Sequence, residues 1–482
     1  MLVRKFDALS LIVFAFLVRL VSLFFAGGFD SVLGYDDGVY YSASTALNHG
    51  LIPYRDFVLV HPPGILYVLS PFVWISHVTT DAFGFYLARI FFMIVGALST
   101  WMIYRIGSRW SRGTGIAAAL FYAVWAPVIR IERTAYLEGL GILFTLIAIY
   151  ILFEKKNPQR DAITIGLLLG AATTMKIWYA VPVVVVILWL LVQREIRKAF
   201  VIGATSLATF AALCAFFVIK AGSKFFELVL YAQTQRGSEG ISIIDRLVRI
   251  FNIESVKIEP SRNISLVALG LILALFVKFI RDNIKNRESQ LILLLFIFQL
   301  AVLMQTPVFF NAYPSFVAFS FALIFGITIS KLPSKILISI IMVLVVPIGI
   351  HSAMTQEPGR DLPNKLERLS FANSKCVTSD SPAVLVLLNT LSRNLDNKCS
   401  MVFDVSGEIY GIEGGKNPLH ENSRYRQLHS SEYQKIIEGY LAEGGTIILA
   451  RKTTDGLTTD SWQKLLAGRK VSHSHAFYII SK

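Results

Sequence analysis

Residues Gly34-Tyr35-Asp36-Asp37-Gly38-Val39-Tyr40-Tyr41, opening a polar and aromatic loop that closes on His61-Pro62-Pro63, follow an apolar run from Leu9 to Phe25. Two adjacent carboxylates therefore sit just past the first stretch capable of crossing a bilayer. Such a pair is cheap only where water or a ligand solvates it. Fixed beside a cavity, it is a candidate general base or metal ligand. Asp-Asp-Gly is also ordinary turn chemistry, so the weight of the pair rests on the rest of the chain.

That chain has 482 residues, 54% of them hydrophobic and only 16% charged, with a mean hydropathy of +0.59. Soluble domains carry about a quarter charged residues, so the composition argues for membrane spans rather than one large core. The net charge is +14, but the basic residues form no continuous stripe. They fall in short clusters between apolar runs: Arg4-Lys5, Arg105 to Arg112, Lys155 to Arg160, Arg194 to Lys198, Lys278 to Arg287, and Lys331 with Lys335. This is the charge segregation of cytoplasmic loops, and it excludes nucleic acid as the expected partner.

Apolar runs near 9–26, 86–105, 114–129, 135–153, 162–176, 178–192, 200–219, 264–280, 290–306, 312–330 and 335–351 are long enough, or nearly so, to cross a hydrocarbon core of roughly 30 Å. They predict a polytopic α-helical membrane protein of about eleven transmembrane helices, with the first run a retained helix rather than a cleaved signal. The run Gly64–His77, after Pro62-Pro63, is shorter and predicts an interfacial helix. With the N-terminus inside, every basic cluster is cytoplasmic, and the loops 27–85 and 220–263 lie outside. Composition turns polar after His351. Strand-like runs at 446–450 and 476–480 and helix-like runs at 383–391 and 431–441 predict a small extracytoplasmic α/β domain over 352–482, beside a membrane module over 1–351. Cys376 and Cys399, both in this polar segment, are a candidate disulfide, whereas Cys214 lies in an apolar run as a packed thiol.

Few ionisable residues fall near the outer ends of the spans. Arg130, Glu132, Arg133 and Glu138 cluster between the third and fourth spans, Lys176 lies between two apolar runs, and Arg89 opens the second span. Cations facing two aspartates suit a ligand carrying a phosphate and a reacting hydroxyl. Against this stands a plainer reading, in which the cations snorkel to the interface and Glu132 and Glu138 pair with them. Arg19, deep in the first span, is expected to pair inside the bundle, and Gly166-x-x-x-Gly170 is a helix-packing motif.

Tyr35-Asp36-Asp37-Gly38-Val39-Tyr40, then Gly50 through Pro53-Tyr54-Arg55-Asp56-Phe57, then His61-Pro62-Pro63-Gly64, resemble the first extracytoplasmic loop of bacterial GT-C glycosyltransferases. The group in question is the one related to protein O-mannosyltransferases and aminoarabinose transferases. Ala88-Arg89, Arg133-Thr134-Ala135-Tyr136-Leu137-Glu138 and Thr174-Met175-Lys176 are similar in order and placement. The resemblance covers roughly residues 1–350. Family members commonly show Asp-Glu where this chain has Asp36-Asp37, and the C-terminal segment resembles tails of actinobacterial members.

The resemblance implies transfer of a sugar from a polyprenyl-phosphate donor to an acceptor hydroxyl at the outer face of the plasma membrane. The acceptor is a cell-envelope glycan, lipid or protein, and a single inverting displacement carries out the transfer. Asp36 is the expected base. Asp37 is its partner, orienting the acceptor or binding a divalent metal. Lys176, Arg133, Arg89 and His61 are the expected phosphate contacts in that order, with Arg55 and Glu138 as further substrate-binding candidates. The alternative is a transporter or lipid flippase with an extracytoplasmic binding tail. Such proteins usually show inverted repeats or broken helices at the midplane, and the sequence displays neither.

Overall fold

The computed structural model describes the chain except for residues 1, 239, 254–261, 356–357, 364–370, 372–373, 418–420, 451–455, 475 and 482, and the side chains of 2–5 and 262–264. The side chains of Arg4 and Lys5 and part of the 220–263 loop thus lie outside the description. By contacts the chain divides into two units, one of residues 1–25, 90–213 and 240–356 and the other of 26–89, 214–239 and 357–482.

The first unit is helical. Leu2–Phe25 forms α1. The first loop carries α2, Asp36–Asn48, and α3, Gly64–Val78, both in the second unit. Asp81–Gly107 is α4, Arg112–Val124 α5, Ala126–Glu132 α6, Leu137–Glu154 α7, Pro158–Met175 α8, Ala180–Val192 α9 and Ile196–Ala221 α10. Local chemistry sets several starts. Ser111 accepts from the Thr114 amide at the head of α5, and Asn157 accepts from Arg160 at the head of α8, where Pro158 gives up no needed donor. Further helices follow over Arg262–Asn283, Arg287–Gln305, Ala318–Ile329 and Lys335–Thr355.

Among the described residues six helices are long and apolar enough to cross a membrane, and α5 with α6 makes a seventh if that pair, bent by 66°, is one span. The bend falls where Trp125 takes an extended conformation and Pro127 withholds an amide from the ladder. Five of the eleven expected spans are not among the six: 178–192 begins with a 3-10 turn, 312–330 is a 3-10 turn followed by a short helix, 114–129 is the bent pair, and 162–176 and 264–280 lie in the helices Pro158–Met175 and Arg262–Asn283. The fifteen residues of α3 are too few to span the core, at about 1.5 Å of rise each. Its exposed Tyr67, Trp74 and Val78 suit an interface. Gly166 and Gly170 of α8 pack on α10, where an added Cβ would overlap Thr205 and meet the Ser206 carbonyl.

The second unit holds a four-stranded sheet: β1 Val377–Ser379, β2 Thr446–Leu449, β3 Lys470–Ser474 and β4 Phe477–Ser481, in the order β1-β2-β4-β3. β1 runs parallel to β2, and β4 is antiparallel to both of its neighbours. The parallel pair is joined through helices including Pro382–Leu387 and Ser431–Glu443, as a crossover requires. Val377, Ile447, Ile448, Phe477 and Ile480 are buried. Cys376 and Cys399 are joined by a disulfide, with their Cα atoms 5.9 Å apart.

Candidate functional site

Asp36 and Asp37 occupy the first turn of α2, where carboxylates complement the helix dipole. Because successive helical residues point about 100° apart, the two face different surroundings. Asp36 is partly exposed, whereas Asp37 has no solvent exposure. Oδ1 of Asp37 accepts from the Gly38 amide at 2.9 Å, and Oδ2 accepts from Arg89 Nη2 at 3.0 Å. Burial pushes the Asp37 carboxyl up from its ordinary range, against the opposing pull of the Arg89 guanidinium.

Arg89 is equally buried. Its Nη1 donates to the carbonyls of Phe29 at 2.7 Å and Ser31 at 3.2 Å, and its guanidinium lies 4.2 Å from the centre of the Phe85 ring. Arg89, expected from sequence as a phosphate contact, holds the loop before α2 through Nη1 and Asp37 through Nη2. Asp37, the metal-ligand alternative, has a neighbour that bears on that role. Each of its oxygens already accepts a hydrogen bond, and a divalent ion there would stand against a guanidinium. Among the described residues only Cys376, Cys399 and Glu443 converge as a possible ligand set, and the two sulfurs are bonded to each other.

The rest of the first loop is packed on α2. Tyr41 bonds to Ser76 at 2.6 Å, Ser44 donates to the Leu66 carbonyl at 3.1 Å, and Asn48 donates to Ser70 at 3.1 Å, so α2 and α3 are stitched along their length. His61 meets the Tyr40 ring edge-on at 5.9 Å, and its carbonyl accepts from Tyr54 at 2.7 Å. Tyr54 has φ 67, a left-handed conformation costly for a bulky residue, with its ring held by Phe217 and Phe225. Arg55, expected to bind substrate, makes a bidentate contact at 2.8 and 2.7 Å with its neighbour Asp56. Asp56 also caps the Ile52 amide, which makes the pair a turn lock.

Ahead of Asp36, the Tyr35 hydroxyl donates to Asp404 Oδ1 at 3.1 Å and accepts from the Ser406 amide at 3.0 Å. Burial and the neighbouring Asp404 push the Tyr35 phenol up, and burial raises the Asp404 carboxyl. Glu408 is pushed up to about 7 by burial and by Asp404.

The remaining predicted residues belong to the first unit. Lys176, buried at the end of α8, donates to Glu138 Oε1 at 2.6 Å, and its ammonium lies 4.2 Å from the Trp178 ring centre and 4.4 Å from that of Tyr313. Oε2 of Glu138 is buried with no hydrogen-bond partner among the described residues, which leaves an acceptor for a ligand hydroxyl. Arg133 donates to the Ser22 hydroxyl at 2.7 Å and to its carbonyl at 3.1 Å. Arg19 does pair inside the bundle: its Nε donates to Glu132 Oε2 at 2.7 Å, while Tyr122 donates to Oε1 at 2.7 Å, all fully buried.

The same architecture occurs in solved membrane enzymes. ArnT from Cupriavidus metallidurans, in a structure bound to undecaprenyl phosphate, is similar with a TM-score of 0.57 and 11% identity, over 98% of this chain and 97% of that one. The oligosaccharyltransferase AglB from Archaeoglobus fulgidus, solved with an inhibitory peptide and a dolichol-phosphate, is similar with a TM-score of 0.55 and 10% identity, over 92% of this chain and 69% of that one. No curated protein matches the chain in sequence. The fold is that of the GT-C membrane glycosyltransferases. The chain belongs to Glycosyltransferase family 87, whose sequence model matches residues 59–307, just over half of its length.

Proposed function

We propose that this glycosyltransferase moves a sugar from a polyprenyl-phosphate donor to an acceptor hydroxyl on the outer face of the membrane, with Asp36 as the base. The observation that carries the reading is the asymmetry of the two aspartates. Asp37 is buried and bound to Arg89, so it fixes the turn, while Asp36 on the same turn keeps access to solvent. In the reaction the acceptor oxygen forms its bond to the anomeric carbon as Asp36 takes its proton. The bond from that carbon to the phosphate oxygen breaks, and the electron pair leaves with the lipid phosphate. One displacement inverts the anomeric centre, and a phosphate leaving group needs no acid.

Lys176 and Arg133 are the proposed contacts for the donor's phosphate, supported by their charge and burial. Glu138 serves through its unpartnered Oε2 as an acceptor for a sugar hydroxyl. His61, with its ring against Tyr40, is a further proposed phosphate contact. Support for a polyprenyl-phosphate donor comes from the undecaprenyl phosphate and dolichol-phosphate of the two neighbours. The proposed topology has eleven spans, a cytoplasmic N-terminus, and the loop 27–85 and segment 352–482 outside. Cysteines introduced at positions 60, 240 and 400 are then labelled by an impermeant reagent in intact cells; protection of the last refutes this topology.

The reaction is tested in membranes carrying native envelope acceptors, incubated with radiolabelled undecaprenyl-phosphate mannose, glucose or arabinose. Asp36→Asn keeps the shape and loses the base, and its rate is expected to fall about 10²–10⁴-fold while undecaprenyl phosphate still binds. Near-normal turnover by folded Asp36→Asn removes the base from this mechanism.

A further inference from the structure

Beside Arg89 and the bonds from α2 to α3, the turn that carries Asp36 is held by residues that follow it by more than 300 positions. Tyr35, immediately before the base, is clamped between Asp404 Oδ1 and the Ser406 amide. The clamp is itself rigid: Asp404 Oδ1 also accepts from the Gly407 amide at 2.8 Å, Gln427 donates to the Ser406 carbonyl at 2.9 Å, and Tyr433 donates to that of Val405 at 3.0 Å. Gly38, two residues after the base, packs so closely on the helix Pro382–Leu387 that an added Cβ would overlap the backbone of Ala383.

The approach to the turn is fixed in the same way. Val32 exchanges two backbone hydrogen bonds with Arg360, both at 3.0 Å, and the Gly359 amide donates to the Ala26 carbonyl at 2.8 Å. The start of α4, which delivers Arg89, is tied by Ser392, whose amide donates to Asp81 Oδ2 at 2.9 Å and whose hydroxyl donates to Oδ1 at 2.5 Å. Every one of these contacts lies within the second unit.

We infer that the C-terminal segment is a positioning element of the active site, with Asp404 and Tyr35 as the positioning residues that fix the direction of the Asp36 carboxylate. The inference rests on Asp36 being the base. A general base must stand within hydrogen-bond reach of the proton it takes, and a misplacement of about 1 Å costs on the order of 10²-fold in rate. The C-terminal segment touches the turn through Tyr35 and Gly38, on both sides of the reacting group, and so removes that freedom.

The test uses the full chain in detergent or membranes. Tyr35→Phe deletes one oxygen, Asp404→Ala deletes the acceptor, and Asp404→Asn keeps an oxygen that accepts from both Tyr35 and the Gly407 amide. Hydrogen–deuterium exchange over residues 33–48 is expected to quicken severalfold in Tyr35→Phe and Asp404→Ala and to return to the wild-type rate in Asp404→Asn, with residues 137–154 unchanged in all three. In the transfer assay with the undecaprenyl-phosphate sugars, kcat is expected to fall about 10- to 100-fold in the first two at an unchanged donor KM, again with rescue by Asp404→Asn. Unchanged exchange over 33–48 in both disruptive variants overturns the inference whatever their activity, as does a loss that Asp404→Asn fails to rescue. Full activity of Asp36→Asn instead overturns the base assignment, and the exchange data separate the two failures.

Discussion

Arg89 reaches Asp37 across 52 positions of sequence to form an ion pair at 3.0 Å in which neither side chain touches solvent. Such a pair adds little net stability over a well-packed apolar pair, but losing one member strands a buried charge, at about 3–5 kcal/mol. Asp37→Asn and Arg89→Met are therefore each expected to lower the melting temperature sharply, while the double variant Asp37→Asn with Arg89→Met recovers part of the loss. Thermal melts in detergent decide this. Independent, additive losses would mean that the pair is not a unit.

A second expectation concerns divalent ions. The oxygens of Asp37 are bonded to Gly38 and Arg89, so chelation with EDTA is expected to leave transfer unchanged. Loss of activity on chelation, restored by added magnesium or manganese, would return a metal to the reaction.

The Lys176–Glu138 pair makes a third. Glu138→Gln removes the charge that balances the buried ammonium and leaves it a neutral amide oxygen and the Trp178 and Tyr313 rings, at a cost of about 3–5 kcal/mol, and Lys176→Met together with Glu138→Gln is expected to regain most of that stability. Transfer is expected not to return, because both proposed ligand contacts are gone. A double variant that is stable and fully active would reduce this pair to packing.

Glu408 supplies a pH dependence with a definite sign. Its folded value of about 7 lies above the ordinary 4.5, raised by burial and Asp404. The folded chain thus holds the proton more tightly than the unfolded one. Stability from this group is fully present below about pH 4.5, falls as the pH rises toward 7 and levels off above it, by at most about 3 kcal/mol. Glu408→Gln is expected to melt like the wild type near pH 4.5 and above it at pH 8. Equal melting temperatures at both pH values would contradict the shift.

What the sequence discloses here is what is local. Long apolar runs such as 200–219 and 335–351 declare themselves, as does the break at Pro62-Pro63, because periodicity and turn chemistry act over a few residues. The pairing of Arg19 was foreseeable from its depth in a span, but its partner Glu132 lies 113 positions away and only packing selects it. Arg89 read as a phosphate ligand because a cation opening a span has no visible partner in one dimension. Asp404, 369 positions after Tyr35, carried no signal at all beyond being an acidic residue in a polar stretch. The bend at Trp125 was hidden inside what reads as one hydrophobic run, since an isolated Pro127 near a helix start is ordinary.

The order of the sheet has a consequence for biosynthesis. β4, residues 477–481, is not an edge but lies between β2 and β3, so the sheet cannot close until the chain has been delivered as far as Ser481. If that sheet scaffolds the clamp on Tyr35, the carboxylate at position 36 is aimed only once β4, more than 400 positions further along the chain, has followed it. A molecule halted before β4 would have its long apolar helices and yet leave its proposed base loose, unable to carry out the proposed transfer.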